Sequence, residues 1–255
     1  MLARQILIIL GLLAVTLPAQ AGRLLDLEIV NRDTGQVLAT YRHRGHTYVA
    51  GNPGERYAVR LVNRTGGRLL AVLSVDGVNA VSGETAAPDQ SGYVLEPHGS
   101  AEIVGWRKSL DDVAQFYFTR LTDSYAARTD RPDHVGVIGV AIFREKVQPQ
   151  PLWSFRQSAP AASAAAAAGA SRADAVGEAK AKREADRLGT GHGEREYAPT
   201  RYTDFERAGP SPNQIVSIRY DSRPNLVRLG VIPAPRPRLP APNPFPGQFV
   251  PDPQG

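Results

Sequence analysis

The residues best suited to chemistry lie near the three-quarter point of the chain, in the stretch LGTGHGEREY. His192, Glu194 and Glu196 alternate along it. Alternate side chains of an extended strand point to one face, so an imidazole and two carboxylates would lie together. Such a set could hold a divalent cation, although transition-metal sites commonly add a second imidazole. The competing interpretation is a helix that stops at Gly189 and leads into a glycine-rich turn, with His192 bonded to the backbone.

The same stretch does not fit a nucleotide-binding loop. Its glycines stand at positions 189, 191 and 193, whereas the dinucleotide fingerprint needs the third glycine one residue later and a strand before the first. The chain also contains no G-x-S-x-G, S-x-x-K, H-E-x-x-H or P-loop motif. We therefore assign no catalytic residue and no cofactor. An enzyme stays open as a class, but a non-catalytic protein is favoured.

A second group of candidate residues lies in the long polar loop LTDSYAARTDRPDHVG, residues 121–136. β-Sandwiches place binding residues on such loops, and long loops are functional more often than short ones. The alternative is a solvated connection between strands. The candidate binding residues of this loop are Asp123, Ser124, Tyr125, Arg128, Asp133 and His134.

Short apolar strands separated by turn signals surround this loop. The stretch LLDLEIV alternates in polarity, and Asp76-Gly77 is the dipeptide of a tight hairpin turn. The run VGVIGVAIF, from Val135 to Phe143, suits a strand that is buried on both faces. About eight or nine such strands predict a mainly β domain over residues 22–147, an antiparallel β-sandwich of jelly-roll or immunoglobulin-like type.

The chain changes character after this domain. Residues 148–171 are rich in Pro and Ala and predict a linker, and residues 172–188 predict a solvated helix with charged pairs four residues apart. Residues 189–232 predict a small strand–helix unit that packs on the sandwich, because QIVSIRY has strand character and DSRPNLVRLG carries helix start and stop signals. Residues 233–255 contain nine prolines and predict a disordered tail.

The first 21 residues have the pattern of a Sec-type signal peptide. Arg4 precedes the apolar run from Ile6 to Leu17, and the small residues Ala19 and Ala21 suit cleavage after Ala21. A membrane-spanning helix needs about 20 apolar residues, so this run is short for one. The alternative is an uncleaved N-terminal anchor. We expect a periplasmic or secreted protein without a transmembrane segment after cleavage.

Composition excludes several kinds of site. The chain has no cysteine, which rules out disulfides, zinc–thiolate sites and thiol nucleophiles. Its formal net charge is +5, but the basic residues are scattered among acids without a basic stripe. This distribution is not typical of nucleic-acid-binding proteins, so we expect no nucleic-acid partner.

Several stretches resemble a group of uncharacterised exported bacterial proteins. The resemblance is carried by RLLAVLSVDGVNAVSGE, GYVLEPHGSAEIVGWRKS and DRPDHVGVIGVAIF, and in the C-terminal part by LGTGHGEREY and YDSRPNLVRLGVI. It covers most of the chain apart from the Ala-rich linker and the Pro-rich tail. The resemblance implies a bacterial envelope protein, and because the group has no assigned activity it implies no catalytic residue.

These observations favour an exported, non-catalytic protein that binds or assembles with an envelope protein or a surface polymer. The alternative is a metal-assisted hydrolase that uses His192 with Glu194 and Glu196. A third hypothesis is that the tail docks into a partner groove through the PRLP motif at residues 237–240. The sequence assigns neither the ligand nor the oligomeric state.

Overall fold

The computed structural model describes residues 22–147 and 187–234, and this part of the chain is mainly β. It contains two short α-helices, α1 (Tyr125–Arg128) and α2 (Arg223–Arg228), and 3₁₀ turns at Leu121–Asp123 and Pro132–His134. The described strands are β1 (Leu25–Asn31), β2 (Thr40–His43), β3 (His46–Gly51), β4 (Tyr57–Asn63), β5 (Leu69–Val75), β6 (Val78–Asn79), β7 (Tyr93–Leu95), β8 (Ser100–Ile103), β9 (Gly105–Arg107), β10 (Asp112–Arg120), β11 (Val137–Arg144), β12 (Leu188–Tyr197) and β13 (Gln214–Ser222).

The strands form one large sheet and two small ones. The large sheet has the order β2-β3-β13-β11-β5-β6, with β7 also paired to β5. The small sheets have the orders β1-β4-β8 and β12-β10-β9. The pairing is antiparallel throughout these sheets except between β13 and β3, which run parallel.

Side chains from all three sheets meet in one hydrophobic core. Leu25, Leu27 and Ile29 of β1 are buried there, as the alternation of LLDLEIV predicts. They share the core with Phe116 of β10 and Ile138 of β11. Antiparallel sheets that enclose a shared core are consistent with a β-sandwich.

A smaller apolar cluster lies on the other face of the large sheet. Leu70 and Val72 of β5 meet Ala141 and Phe143 of β11, and Phe205 packs against them. Phe205 belongs to the segment between β12 and β13, which crosses this face without regular structure. Strand β11 is therefore buried on both faces, as its apolar sequence predicts.

The C-terminal part of the described chain contributes strands to the sheets. Strand β12 pairs with β10, and β13 lies between β3 and β11 in the large sheet. The predicted helix does not extend to Leu188, because Leu188 and Gly189 begin β12. The segment is thus part of the sheets rather than a separate unit packed on them.

Helix α2 agrees with its sequence signals. The Ser222 hydroxyl accepts a hydrogen bond from the backbone N–H of Asn225, and Pro224 lies in the first turn. Gly230 follows the helix with a φ of +72°, the left-handed conformation that commonly ends helices.

Parts of the predicted organisation lie outside the described residues. These are the signal peptide, the linker over 148–171, the helix up to residue 186 and the tail from residue 235 onward. Within residues 22–147 and 187–234, no helix combines the length and the apolar character needed to cross a membrane.

Candidate functional site

A β-bulge interrupts the pairing of β12 with β10. Phe116 lies opposite His192, but Ala114 lies opposite Arg195, so one residue of β10 faces two residues of β12. The extra residue shifts the alternation of side chains by one position. His192 and Glu196 therefore point to opposite faces of the strand, and the single face expected from the sequence does not exist.

Glu196 is held in an ion pair. Its carboxylate oxygens accept hydrogen bonds from Arg32 Nη1 and Nη2 at 2.5 and 2.8 Å, and from Gln115 Nε2 at 2.8 Å. The hydrogen bonds from Arg32 hold the pKa of Glu196 below its usual value. Glu194 is exposed to solvent. The carboxylate of Glu196 thus joins the end of β12 to the loop after β1.

His192 lies against two aromatic rings. Its ring is nearly parallel to that of Trp106, and the centroids of these two rings are 6.4 Å apart. The centroid of the Tyr125 ring lies 5.3 Å from that of the His192 ring. Partial burial lowers the pKa of His192, and the charges of Lys108 and Arg128 lower it further. Within the described ranges, no three His, Cys, Asp or Glu side chains come together in a group that could hold a metal ion.

The alternating glycines of β12 have a packing role. A Cβ atom added at Gly191 would lie 2.2 Å from Cζ of Tyr117, and one at Gly193 would lie 3.3 Å from Cδ1 of the same ring. The Tyr117 ring therefore covers a strip of bare backbone on β12. The spacing that suggests a phosphate loop or a turn is instead that of a strand packed under an aromatic side chain.

The loop 121–136 sends two of its candidate residues toward His192. The ring of Tyr125 contacts both His192 and Trp106, and the charge of Arg128 acts on the imidazole. Ser124 is fully buried and caps α1, because its hydroxyl accepts from the N–H of Ala127 and donates to the carbonyl of Leu121. Ser124 therefore has a structural part in the loop.

The remaining loop candidates do not join this group. Asp123 and Asp133 are exposed and form no ion pair within the described chain. His134 packs on the hairpin turn between β5 and β6. A Cβ atom added at Gly77 would lie only 2.5 Å from the Cβ atom of His134. The structure thus does not bring the six predicted binding residues together at one site.

A polar network lies inside the main core. The carboxylate of Asp76 accepts hydrogen bonds from the Tyr220 hydroxyl at 2.6 and 2.7 Å, from the Thr190 N–H at 2.8 Å and from the Gly136 N–H at 2.9 Å. The Thr190 hydroxyl also lies 2.6 Å from the Tyr57 hydroxyl and 2.7 Å from that of Tyr220. Burial raises the pKa of Asp76 to about 6, although the donors oppose this shift.

This network is closed to ligands. The side chains of Asp76, Thr190 and Tyr57 have no exposed surface, and Tyr220 retains 3%. Asp76 reaches the core from a two-residue turn with φ values of +53° at Asp76 and +74° at Gly77, which fit the hairpin turn that the sequence predicts. The turn residue is therefore also the buried charge that links β5, β12 and β13.

A groove of about 900 Å³ opens on the outer side of the large sheet, and four basic side chains are among those that line it. We call it the basic groove. It is lined by residues from three segments, 81–96, 107–110 and 200–207, together with Leu70 of β5. The third wall is the irregular segment that also covers the smaller apolar cluster.

Two polypeptide segments fix the walls of the basic groove. The backbone N–H of Thr200 donates to the Leu110 carbonyl at 2.7 Å, and that of Ala208 donates to the Arg144 carbonyl at 2.9 Å. Arg107 also donates hydrogen bonds to the carbonyls of Leu110 and Ala198. The turn after β9 and the segment after β12 are therefore held side by side.

The basic groove has an excess of positive charge. The acidic residues of the lining are Asp89 and Glu96. Oε1 of Glu96 lies 3.6 Å from Nε of Arg68, a residue that does not line the groove. The basic side chains that line it have no ion pair among the described residues: Arg107, Lys108, Arg201 and Arg207. Clustered charges of one sign attract ligands of the opposite sign.

Two buried polar atoms of the groove lining have no hydrogen-bond partner in the described chain. They are the hydroxyl of Tyr93 and Nε of Arg107. Burial raises the pKa of Tyr93, while the adjacent Arg107 side chain opposes the shift. Both atoms are shielded from solvent, so they lie within the wall of the groove rather than on its open surface.

The sequence contains only a weak signal for the basic groove. Arg107 and Lys108 are adjacent, but Arg201 and Arg207 come much later in the chain and meet them only through the fold. Comparisons with protein-family models, with curated proteins and with solved structures found no significant match to this chain.

Proposed function

We propose that this protein is an exported, non-catalytic binding or assembly protein of the bacterial envelope, and that its ligand occupies the basic groove. The observation that carries the proposal is the set of four basic side chains of the groove that form no ion pair with a described acid. Charge left unpaired on a concave surface is typical of a site whose counter-charges come from a ligand.

The proposed location follows from the N-terminal sequence. Arg4, the apolar run after it and the small residues up to Ala21 support export with cleavage before Gly22. The resemblance to exported bacterial proteins supports the envelope as the compartment. We propose a β-sandwich of jelly-roll or immunoglobulin-like type as the scaffold, because the antiparallel sheets share one core.

We do not propose a metal-assisted hydrolase that uses His192 with Glu194 and Glu196. The bulge in β12 turns Glu196 away from His192, and Arg32 already neutralises the Glu196 carboxylate. An aromatic pair rather than a second imidazole or carboxylate surrounds His192. The geometry therefore favours binding over metal-assisted catalysis.

Retention of envelope material tests the proposed function. Residues 22–255 are immobilised as the wild type, as the groove variant Lys108→Glu/Arg201→Glu, and as the control Arg42→Glu/Arg219→Glu. The control makes the same change in net charge at two exposed arginines outside the groove lining. Solubilised envelope is passed over each, and bound protein and sugar are quantified.

We expect the wild type and the control to retain the same material, and the groove variant to lose most of it. Equal retention by all three proteins would mean that the groove is not the binding site. No retention by the wild type would contradict the proposed function itself. Circular dichroism of each variant checks that the fold is intact, which is expected because both groove positions are exposed.

A further inference from the structure

We infer that the ligand of the basic groove is an acidic saccharide chain, an inference that rests on the proposed function. The charges of the groove give the first step. Guanidinium groups bind carboxylates and phosphates through paired, charge-assisted hydrogen bonds, which neutral sugars do not offer. Four unpaired basic side chains on one surface therefore indicate an anionic ligand rather than a neutral one.

The basic side chains differ in how firmly they are held. Arg207 donates to the Gln90 carbonyl at 2.7 Å, and its guanidinium carbon lies 4.3 Å from the ring centroid of Phe143. Arg107 is fixed by the carbonyls of Leu110 and Ala198. Lys108 and Arg201 are exposed, and their side chains form no ion pair within the described residues. The groove thus combines a rigid charged floor with two adaptable cations at its mouth.

Aromatic and apolar surface accompanies the charge. Tyr202 is 88% exposed and Leu110 is 42% exposed, although both line the groove. Phe205 and Tyr93 lie deeper in the lining. The negative face of an aromatic ring attracts polarised C–H groups such as those on the apolar face of a sugar ring. An inorganic anion would make no use of this surface.

The uncharged polar lining also matches a sugar. Hydroxyl and amide groups both donate and accept hydrogen bonds, as sugar hydroxyls do. The uncharged polar residues of the lining are Ser82, Gln90, Ser91, Ser109, Thr200 and Thr203.

The size of the groove is sufficient for a short saccharide chain. Its volume is about 900 Å³, and pockets for drug-sized molecules span about 300–1,000 Å³. It is an open groove between surface segments rather than a closed cavity, so an oligomer can lie along it. A saccharide oligomer with an anionic group on each unit satisfies the charge, the aromatic surface and the length together.

Calorimetric titration of residues 22–255 tests the inference with four probes. They are oligogalacturonate, its neutral methyl ester, inorganic polyphosphate and a single-stranded DNA oligonucleotide matched in charge. We expect oligogalacturonate to bind most tightly and the ester at least about tenfold more weakly. Lys108→Gln/Arg201→Gln and Tyr202→Ala should each weaken oligogalacturonate binding, and Arg42→Gln/Arg219→Gln should leave it unchanged.

Each other outcome overturns the inference in a distinct way. Equal binding of the ester would show that charge is not recognised. Equal or tighter binding of polyphosphate or DNA would indicate a site for another class of polyanion. Failure of all four probes would also reject it. If the groove still retains envelope material after any of these outcomes, only the proposed ligand class is wrong. If the groove retains no envelope material either, the proposed function is also wrong.

Discussion

The buried carboxylate of Asp76 should make the free energy of unfolding depend on pH in an unusual direction. Its pKa is raised from 3.8 to about 6 in the folded protein. Between these values the folded state binds more protons than the unfolded state, so stability falls as the pH rises. The contribution is present below about pH 4 and is lost by the time the pH passes about 6. A shift of roughly two pKa units corresponds to ~3 kcal/mol.

The substitution Asp76→Asn isolates this effect. The amide has nearly the shape of the carboxyl group and tolerates the left-handed backbone at φ +53°. One of the N–H groups of Gly136 and Thr190 loses its acceptor, which costs about 1–3 kcal/mol at every pH. The variant cannot titrate at this position, so the pH-dependent part of the difference belongs to Asp76.

Urea unfolding of residues 22–255 at several values between pH 4 and pH 7.5 gives the measurement. We expect the stability of the wild type minus that of Asp76→Asn to decrease by ~2.4 kcal/mol over this range, because about 0.6 kcal/mol of the full contribution is already lost at pH 4. Glu196 has a lowered pKa and contributes the opposite slope, but it cancels because both proteins contain it. A difference that stays constant or increases with pH would refute the reasoning. Asp89→Asn makes the same chemical change at an exposed acid and serves as the matched control.

Three further predictions concern strand β12 and the N-terminus. Gly191→Ala should destabilise the fold by about 1–3 kcal/mol in urea unfolding, because the new Cβ overlaps the Tyr117 ring. A double-mutant cycle with Arg32→Gln and Glu196→Gln should give a coupling energy of about 1 kcal/mol, since the paired side chains are only 22% and 24% exposed. Expression of residues 1–255 in a bacterial host should give a mature protein whose mass is that of residues 22–255.

Each of these experiments has a matched comparison. Gly139→Ala places a methyl group where no atom lies within 4 Å. If it lowers the free energy of unfolding as much as Gly191→Ala does, the overlap with Tyr117 is not the cause of the destabilisation. A coupling energy near zero would mean that solvent screens the ion pair completely. A mass that includes Met1, found in the membrane fraction, would favour an uncleaved anchor over a signal peptide.

Local patterns predict the parts of this fold that local forces determine. The alternation in β1, the apolar run of β11 and the turn at Asp76-Gly77 are all visible in the sequence, because burial and turn geometry select residue types directly. The same holds for α2, whose start at Ser222 and stop at Gly230 are local signals.

Features that depend on distant contacts cannot be predicted in this way. Gly189 has the composition of a helix stop, but Ser124 and Val135 pack where its side chain would be, so it belongs to a strand. The bulge that separates His192 from Glu196 depends on the register with β10, which no local pattern of β12 encodes. The basic groove likewise requires segments that are about 100 residues apart in the sequence, 107–110 and 200–207, so its charges look scattered along the chain.

The position of β13 has a consequence for how the chain acquires its structure. This strand is the last of the described strands in sequence, yet it pairs with β11 on one side and runs parallel to β3 on the other. Until it arrives, both neighbours present unpaired edges that can bind other chains. Folding therefore cannot be completed progressively from the N-terminus, and the many long-range pairings predict a slow final step. A nascent chain of this kind depends on protection from aggregation until its last strand has been delivered.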